Sequence, residues 1–251
     1  DEAEARMTAP FPTRAQEEWR YADLDALKPV WEALGEVVTI AVAPGKTVEQ
    51  TWLPGTGDVQ VKRVRMTLGA GARATIFALN TAAEYGRIEL DLTLASDAEF
   101  TLNAANIGGG STTQEIITTV RHIGERGRSR QTVRSVLGGK AVGTYLGKVE
   151  VARGAQKTDS EQSVKAMLLD RGATANAKPE LEIFADDVKC AHGATVGELD
   201  ADMLFYAASR GLDPASARAL LLEGFVMGLW DDAPDGEALR DAARTALRAI
   251  A

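Results

Sequence analysis

Hydrophobic and polar residues alternate along most of the chain between about residue 37 and residue 184. In the segment RIELDLTL, residues 87–94, every second residue is isoleucine or leucine, and the residues between them are charged or threonine. Because side chains alternate across a strand, this pattern predicts a strand with one buried face. The same period appears in six further segments: VVTIAVA, VRMTL, ATIFAL, EFTLNA, GKVEVA and PELEIF.

Short turn signals recur along this region. Each is a small or turn-forming residue followed by alanine or a short polar residue, and their spacing of about 18 to 30 residues is that of solenoid coils. Many short strands of this kind are compatible with a sandwich, a barrel or a β-helix. The recurrence favours a β-helix or closely stacked β-solenoid. The signals are Gly71-Ala72, Asp97-Ala98, Gly127-Arg128, Gly154-Ala155, Gly172-Ala173 and Gly193-Ala194.

Helical periodicity appears near both ends of the chain. The segment TRAQEEWRYADLDALKPVWEAL predicts a short helical arm that Pro29 interrupts. After Gly197, ELDADMLFYAASRG predicts a helix, and Asp213 followed by Pro214 predicts the start of a second one over PASARALLLEGFVMGLW. EALRDAARTALRAIA predicts a third. The expected organisation is an N-terminal helical arm (1–36), a β-helix core (37–198) and a C-terminal helical subdomain (199–251).

Composition narrows the classes of function and location. The 36 acidic and 28 basic residues give a net charge of -8, which disfavours nucleic acid and anionic membranes as partners. A single cysteine excludes an internal disulfide and indicates a reducing compartment. The first residues carry acids rather than a basic and apolar signal, and the longest apolar stretch, ALLLEGFVMGLW, is interrupted by Glu223. We expect a cytoplasmic protein without a membrane span.

The candidate chemistry lies in the segment FADDVKCAHGATVG, where the only cysteine, Cys190, is two residues from His192. Alternation along a strand places Asp186, Val188, Cys190 and His192 on one side. The pair then shares one metal or faces one partner group, or else is a buried thiol beside a hydrogen-bonded histidine. A closed zinc site needs four ligands, and only Asp186 or the distant His122 remain in this chain. A soft-metal or cluster site here therefore requires ligands from a second chain.

Other segments point away from catalysis. The arginines of VRHIGERGRSRQTVR match the solvated face of a strand better than a phosphate site, and GGGS at residues 108–111 is interpreted as a flexible turn. Hydrolase, metalloprotease and nucleotide-binding motifs are absent from the sequence. The helix PASARALLLEGFVMGLW carries more apolar residues than one stripe needs, including Leu221, Leu222 and Phe225. It is either buried on most sides or docked on another protein.

These segments together resemble a known family. KPELEIFADDVKCAHGATVGELDADMLFYAASRGLDPASARALLLEGF resembles the C-terminal signature of the SufB/SufD family of the SUF iron-sulfur cluster assembly system. GKVEVARGAQKTDSEQSVKAMLLD is similar to the β-core of that family. FPTRAQEEWRYADL is similar to the lead-in of its SufD branch, and the lack of further cysteines also resembles that branch.

The resemblance implies a mainly β fold, a right-handed parallel β-helix core with a helical arm and a C-terminal helical subdomain. It implies a non-catalytic scaffold subunit that pairs with a SufB-like subunit through the β-helix and binds a SufC-like ATPase through the C-terminal helices, with Leu221, Leu222 and Phe225 as docking or supporting residues. His192 and Cys190 would handle iron or a nascent iron-sulfur cluster shared with the partner chain. A homodimer is expected when the chain is alone. The alternative is a purely structural adaptor without metal-handling residues.

Overall fold

A computed structural model of the chain describes residues 10–250, which form twelve strands, five α-helices and three short 3-10 turns. The first nine residues of the predicted arm lie outside this range. The strands are β1 Val37–Val42, β2 Thr47–Trp52, β3 Val59–Leu68, β4 Arg73–Asn80, β5 Tyr85–Leu94, β6 Glu99–Gly108, β7 Thr113–His122, β8 Arg128–Leu137, β9 Val142–Val151, β10 Asp159–Leu168, β11 Thr174–Ile183 and β12 Lys189–Glu198.

The strands form two parallel sheets of six strands each, in the orders β1-β3-β5-β7-β9-β11 and β12-β10-β8-β6-β4-β2. Each coil of the chain adds one strand to each sheet. Residues paired between successive coils are 26 positions apart at Val59 and Tyr85 and 32 apart at Val142 and Thr174. The fold is therefore a parallel β-solenoid of six coils, and the predicted β-helix is confirmed over the sandwich and the barrel.

The main core fills the space between the two sheets. The residues of β5 predicted to face inward are buried and belong to this core, as alternation predicted: Ile88, Leu90, Leu92 and Leu94. Their neighbours in the adjoining coils, such as Val64 and Ile116, belong to the same cluster. The last coil differs, because almost every residue of β12 is exposed where no further coil covers it.

The alternation of apolar and polar residues did not mark four of the strands, for three physical reasons. In β7 most residues on both faces are buried, so the pattern of one apolar and one polar face is lost. In β8 and β10 several inward residues are serine or glutamine, and in β2 only the last of six residues is fully buried. The predicted turn at Gly193-Ala194 was wrong, because both residues lie inside β12.

Several predicted turns lie at one corner of the solenoid. At this corner one residue of each turn has a left-handed backbone conformation, and the turns of successive coils stack on one another. Gly71, Asp97 and Arg126 have φ of 67°, 60° and 58°. The N–H of Gly71 donates to Ser96 O at 2.9 Å, and the N–H of Asp97 donates to Glu125 O at 2.8 Å, so the turns of successive coils are hydrogen-bonded to one another. The Asp97 carboxylate also pairs with the Arg126 guanidinium at 2.7 Å.

The GGGS turn is packed rather than free, which corrects the flexible turn expected there. Gly110 has a φ of 59°. A side chain at Gly109 would collide with Ile250, and one at Gly139 in the next coil would meet the backbone of Gly110. The absence of side chains at these glycines therefore lets the two turns and the end of α5 pack closely together.

Helices cover parts of the outer faces of the solenoid. The N-terminal arm consists of a 3-10 turn at Glu17–Trp19, α1 at Leu24–Leu27, a 3-10 turn at Lys28–Val30 and α2 at Trp31–Leu34. It packs through Trp19 and Trp31 near Tyr85. After the solenoid come α3 at Ala201–Ser209, α4 at Pro214–Val226, a 3-10 turn at Met227–Trp230 and α5 at Gly236–Ile250.

The C-terminal helices begin as the sequence predicts and pack on the even-numbered sheet. Asp213 caps α4 by accepting hydrogen bonds from the N–H groups of Ala215 and Ser216, and Pro214 is the first helical residue. Helices α4 and α5 form a second core with outward residues of that sheet, namely Phe77, Leu79, Ala105, Ile107 and Val136. Within residues 10–250, no helix is long and apolar enough to cross a membrane.

Candidate functional site

Cys190 and His192 lie on β12, the last strand of the even-numbered sheet. They pair in register with Ser160 and Gln162 of β10, whose side chains are buried and face the interior. Cys190 is half-buried and packs against the main core. His192 shares its parity on the strand but is exposed, because no coil follows β12 in the stack. The two side chains therefore stand together at the open end of the solenoid interior.

Asp186 and Val188 were predicted to lie on the same strand face as Cys190 and His192, but β12 begins only at Lys189. Asp186 lies in an exposed bend ahead of β12, so it is not placed on the strand beside Cys190. His122 is fully buried at the end of β7 and its Nε2 contacts the Ser129 hydroxyl at 2.9 Å. Within residues 10–250, no group of three or more His, Cys, Asp or Glu side chains is arranged to hold a metal ion. Cys190 and His192 are brought together, whereas Asp186 and His122 are not.

The environment of Cys190 favours its neutral thiol. Burial raises the pKa of this thiol above its usual value, and a hydrogen bond with the Ser160 backbone offsets only part of that effect. Metal ions bind the thiolate rather than the thiol. A soft metal at Cys190 would therefore have to displace this proton.

The end of the solenoid that carries the pair also has unpaired strand edges. Strands β11 and β12 are the terminal strands of their sheets, so one edge of each has no neighbouring strand among residues 10–250. Large apolar side chains are exposed around this end, including Phe184 at 63% and Val196 at 50%. Unpaired strand edges with apolar side chains are the surfaces on which chains associate.

A second apolar surface lies on α3 and the adjacent part of α4. We call it the α3–α4 surface, and its exposed side chains are Met203, Phe205, Tyr206 and Leu220. Of the predicted docking residues, Leu222 is fully buried in the core, whereas Leu221 and Phe225 are partly buried. The sequence analysis predicted both helices but considered only α4 as an apolar surface. The signal was the run MLFY at residues 203–206, which places apolar groups around the whole helix.

Two rows of hydrogen-bonded polar side chains cross the buried interior beneath the candidate site. The sequence analysis identified neither of them. In one, His122 contacts Ser129, whose hydroxyl lies 2.8 Å from the Ser160 hydroxyl. In the other, the Tyr145 hydroxyl lies 3.2 Å from Thr118 Oγ1 and 2.8 Å from Gln162 Oε1. Burial lowers the pKa of His122 to about 4. The available signal was the spacing of about 30 residues, which places Ser129, Ser160 and Cys190 in one column.

The arginine-rich segment is bonded within the chain, as expected for the outer face of a strand. Arg121 pairs with Glu150 at 2.9 Å and Arg130 pairs with Asp159 at 2.9 Å. Arg134 donates to the carbonyl oxygens of Val133 and Ser163. These guanidinium groups are engaged with protein groups rather than gathered around an anion site.

Comparison with known proteins relates this architecture to characterised sequences. The family model described as SUF system FeS cluster assembly, SufBD core domain, matches residues 32–225. An iron-sulfur cluster assembly SufBD family protein of Synechocystis is 34% identical over 167 residues, which cover 66% of this chain and 37% of that protein. The protein SufD of Escherichia coli is 39% identical over 113 residues, covering 45% of this chain and 25% of that protein.

A third relative, the iron-sulfur cluster assembly protein SufD of Bacillus subtilis, is 30% identical over 128 residues, which cover 51% of this chain and 29% of that protein. The matched segment is thus between 25% and 37% of the length of these three relatives. The family model nevertheless spans the solenoid and most of α3 and α4. The chain belongs to the SufB/SufD family of the SUF iron-sulfur cluster assembly system, with proteins named SufD among its relatives.

Proposed function

We propose that this chain is a non-catalytic, cytoplasmic scaffold subunit of an iron-sulfur cluster assembly complex, in which Cys190 and His192 take part in handling iron or a nascent cluster. The observation that carries the proposal is the position of these two ligand types, side by side at the open end of a solenoid whose strand edges are unpaired. Iron and its sulfide clusters are held by thiolate and imidazole ligands. The iron is cargo of the complex rather than a resident cofactor.

The remaining ligands come from a SufB-like subunit. Cys190 and His192 supply two ligands, and a cluster or a tetrahedral metal needs about four. A partner strand along β12 would satisfy the backbone groups of the free edge and cover Phe184 and Val196. The same contact would enclose His192, which is exposed in the isolated chain. Docking of the partner and completion of the ligand set are therefore one event.

The α3–α4 surface is proposed to bind a SufC-like ATPase. Its four large apolar side chains stand on helices that are held to the solenoid by the second core, in which Leu222 is fully buried. Leu222 then supports the surface from beneath, and Leu221 and Phe225 contribute at its margin. ATP hydrolysis would belong to the partner, because this sequence contains no nucleotide-binding loop.

The first experiment tests the iron-handling residues. The chain is co-expressed with SufB-like and SufC-like subunits, and the complex is purified without oxygen and analysed for iron and sulfide. We expect His192→Ala to lose bound iron while the complex remains intact. Thr195→Ala, on the same exposed strand but of the opposite parity, is the matched control and should retain iron. An intact His192→Ala complex with full iron would contradict the proposal.

The second experiment separates docking from iron handling. Phe205→Glu places a charge in the middle of the α3–α4 surface and should abolish co-purification of the ATPase with the chain still folded. Ala249→Glu adds the same charge at an exposed position of α5 outside that surface and should have no effect. If Phe205→Glu breaks the complex and His192→Ala leaves iron unchanged, the chain is the purely structural adaptor.

A further inference from the structure

We propose that Gln162 is a positioning residue for His192, and that its hydrogen-bonded amide forms a fixed floor that keeps the imidazole at the open end of the solenoid interior. The consequence of this inference for function rests on the proposed role of His192 in iron handling. The placement of the imidazole can be measured on the free chain.

The register places the two side chains in one column. Gln131, Gln162 and His192 are paired through β8, β10 and β12, so their side chains stack along the solenoid axis at the strand spacing of about 4.8 Å. Gln131 and Gln162 are each 1% exposed. His192 is the top member of the column, and Gln162 is the side chain directly beneath it.

Both ends of the Gln162 amide are held. Its Oε1 lies 2.8 Å from the Tyr145 hydroxyl, and its Nε2 donates to the Glu180 carbonyl oxygen at 3.2 Å. Thr118 Oγ1 lies 3.2 Å from the same tyrosine hydroxyl, which fixes the tyrosine in turn. These bonds connect β7, β9, β10 and β11 across the interior. The amide therefore cannot swing aside to let His192 fold into the solenoid.

The space for this arrangement is provided by a glycine. A side chain at Gly147 would collide with both the Tyr145 hydroxyl and Gln162 Oε1. Burying an amide costs free energy unless it is hydrogen-bonded, and an apolar residue would fill the same volume without that requirement. A leucine floor would, however, lack the two bonds that fix the side chain in one orientation. Rigid support of a ligand by its neighbours is what holds a functional side chain in place.

The test measures modification of His192 by diethyl pyrocarbonate in the free chain, by mass spectrometry of the β12 peptide. The chain has two histidines, and His122 is fully buried, so the folded protein reports on His192. In Gln162→Ala the floor is replaced by a void. We expect the imidazole to turn inward and the modification rate to fall about fivefold, the ratio that corresponds to about 1 kcal/mol.

Gln131→Ala is the matched control. Gln131 is equally buried, lies one coil deeper in the same column, and has its Oε1 3.2 Å from the Tyr145 hydroxyl. Its loss should lower stability without changing the modification rate, because Gln162 still lies beneath His192. Equal rates in Gln162→Ala and the wild type, or an equal fall in Gln131→Ala, would overturn the inference.

Two further variants keep the test informative. If Gln162→Ala fails to fold, Gln162→Met retains the volume but loses both hydrogen bonds, and we expect a smaller fall in the modification rate; an unchanged rate would overturn the inference. Tyr145→Phe removes the hydroxyl at Oε1 and should act in the same direction. Iron analysis of the Gln162→Ala complex then separates the two proposals. A slowed modification with full iron supports the positioning and counts against iron handling by His192.

Discussion

Gly147 lies on β9 where the strand passes the Tyr145 hydroxyl and the Gln162 amide, and a methyl group there would collide with both. Gly147→Ala should therefore break a buried hydrogen bond or displace a strand, at a cost of about 3 kcal/mol in the free energy of unfolding. Urea denaturation followed by circular dichroism measures the change. Gly193→Ala on β12, where nothing lies within 4 Å of the added carbon, should leave stability nearly unchanged. Equal effects of the two substitutions would contradict this account.

His122 makes stability depend on pH. Burial lowers its pKa from 6.5 to about 4 in the folded chain, so between these values the unfolded chain binds the proton more readily than the folded chain does. The folded state is therefore stabilised above pH 6.5 and loses this contribution as the pH falls towards 4, with a full range of about 3 kcal/mol. Carboxylates contribute to the same pH range, so a comparison with a variant is needed to isolate the histidine.

His122→Gln removes the titrating group and retains a partner for Ser129. Plots of unfolding free energy against pH for this variant and the wild type should converge as the pH falls from 7 to 4, because only the wild type loses the histidine contribution. Parallel plots over that range would show that His122 does not titrate as its burial requires. The background from carboxylates cancels in the difference between the two plots.

At the scale of residues, the sequence predicted the shared strand face of Cys190 and His192 but not the buried polar side chains beneath them. The shared parity of Cys190 and His192 followed from alternation, since two residues on one strand need no tertiary information. The two hydrogen-bonded rows of polar side chains beneath them join residues between 7 and 31 positions apart, and their alignment depends on the length of each intervening turn. Leu222 was singled out as a docking or supporting residue, since periodicity alone cannot distinguish a helix face covered by a sheet from one that awaits a partner.

At the scale of elements, the N-terminal arm is attached by a buried cation. The side chain of Arg87 on β5 has no solvent exposure; its guanidinium lies 3.6 Å from the centre of the Trp19 ring and donates to the Glu18 carbonyl oxygen at 2.8 Å. On its other side it pairs with Glu115 at 3.0 Å and Glu89 at 2.8 Å. The arm therefore closes a charged cluster that would otherwise face solvent.

Trp19→Ala should release this arm. We expect a loss of about 3 kcal/mol in the free energy of unfolding, from the lost burial of the ring and its stacking on Arg87. Limited proteolysis should then cleave before β1 at concentrations that leave the wild type intact. Tyr21→Ala is the control, because that ring is 38% exposed and its removal should cost little. An arm in Trp19→Ala as resistant as the wild type would mean that other contacts hold it.

Elements with one apolar face were predictable, and elements whose surroundings come from distant parts of the chain were not. Over residues 88–94, strand β5 follows its pattern because one face is buried in the core and the residues of the other face are only partly buried. Strand β7 does not, since most residues on its outer face are buried as well. Strand β8 fails for the opposite reason, because Ser129 and Gln131 occupy inward positions that the pattern reserves for apolar residues.

At the scale of the whole molecule, stability should be graded along the solenoid. Each coil contacts only its neighbours, so opening can begin at an end and need not involve the whole chain. Strands β6 and β7 lie in the middle of their sheets, with a neighbouring strand on both edges, and most of their residues are buried. Strand β12 has a neighbouring strand on one edge and is mostly exposed. The coil that carries Cys190 and His192 is thus the least protected part of the β-solenoid's C-terminal half.

Hydrogen exchange measured by mass spectrometry should reveal this gradient. In the free chain, amides of β11 and β12 should exchange about a hundredfold faster than those of β6 and β7. Binding of a SufB-like subunit should slow exchange in β12 while leaving β6 unchanged, because a new strand neighbour satisfies the edge that is free in the isolated chain. Uniform exchange across the coils would mean that the solenoid opens as one cooperative unit. Protection confined to α3 and α4 would instead place the partner on the helices and leave the Cys190 and His192 end uncovered.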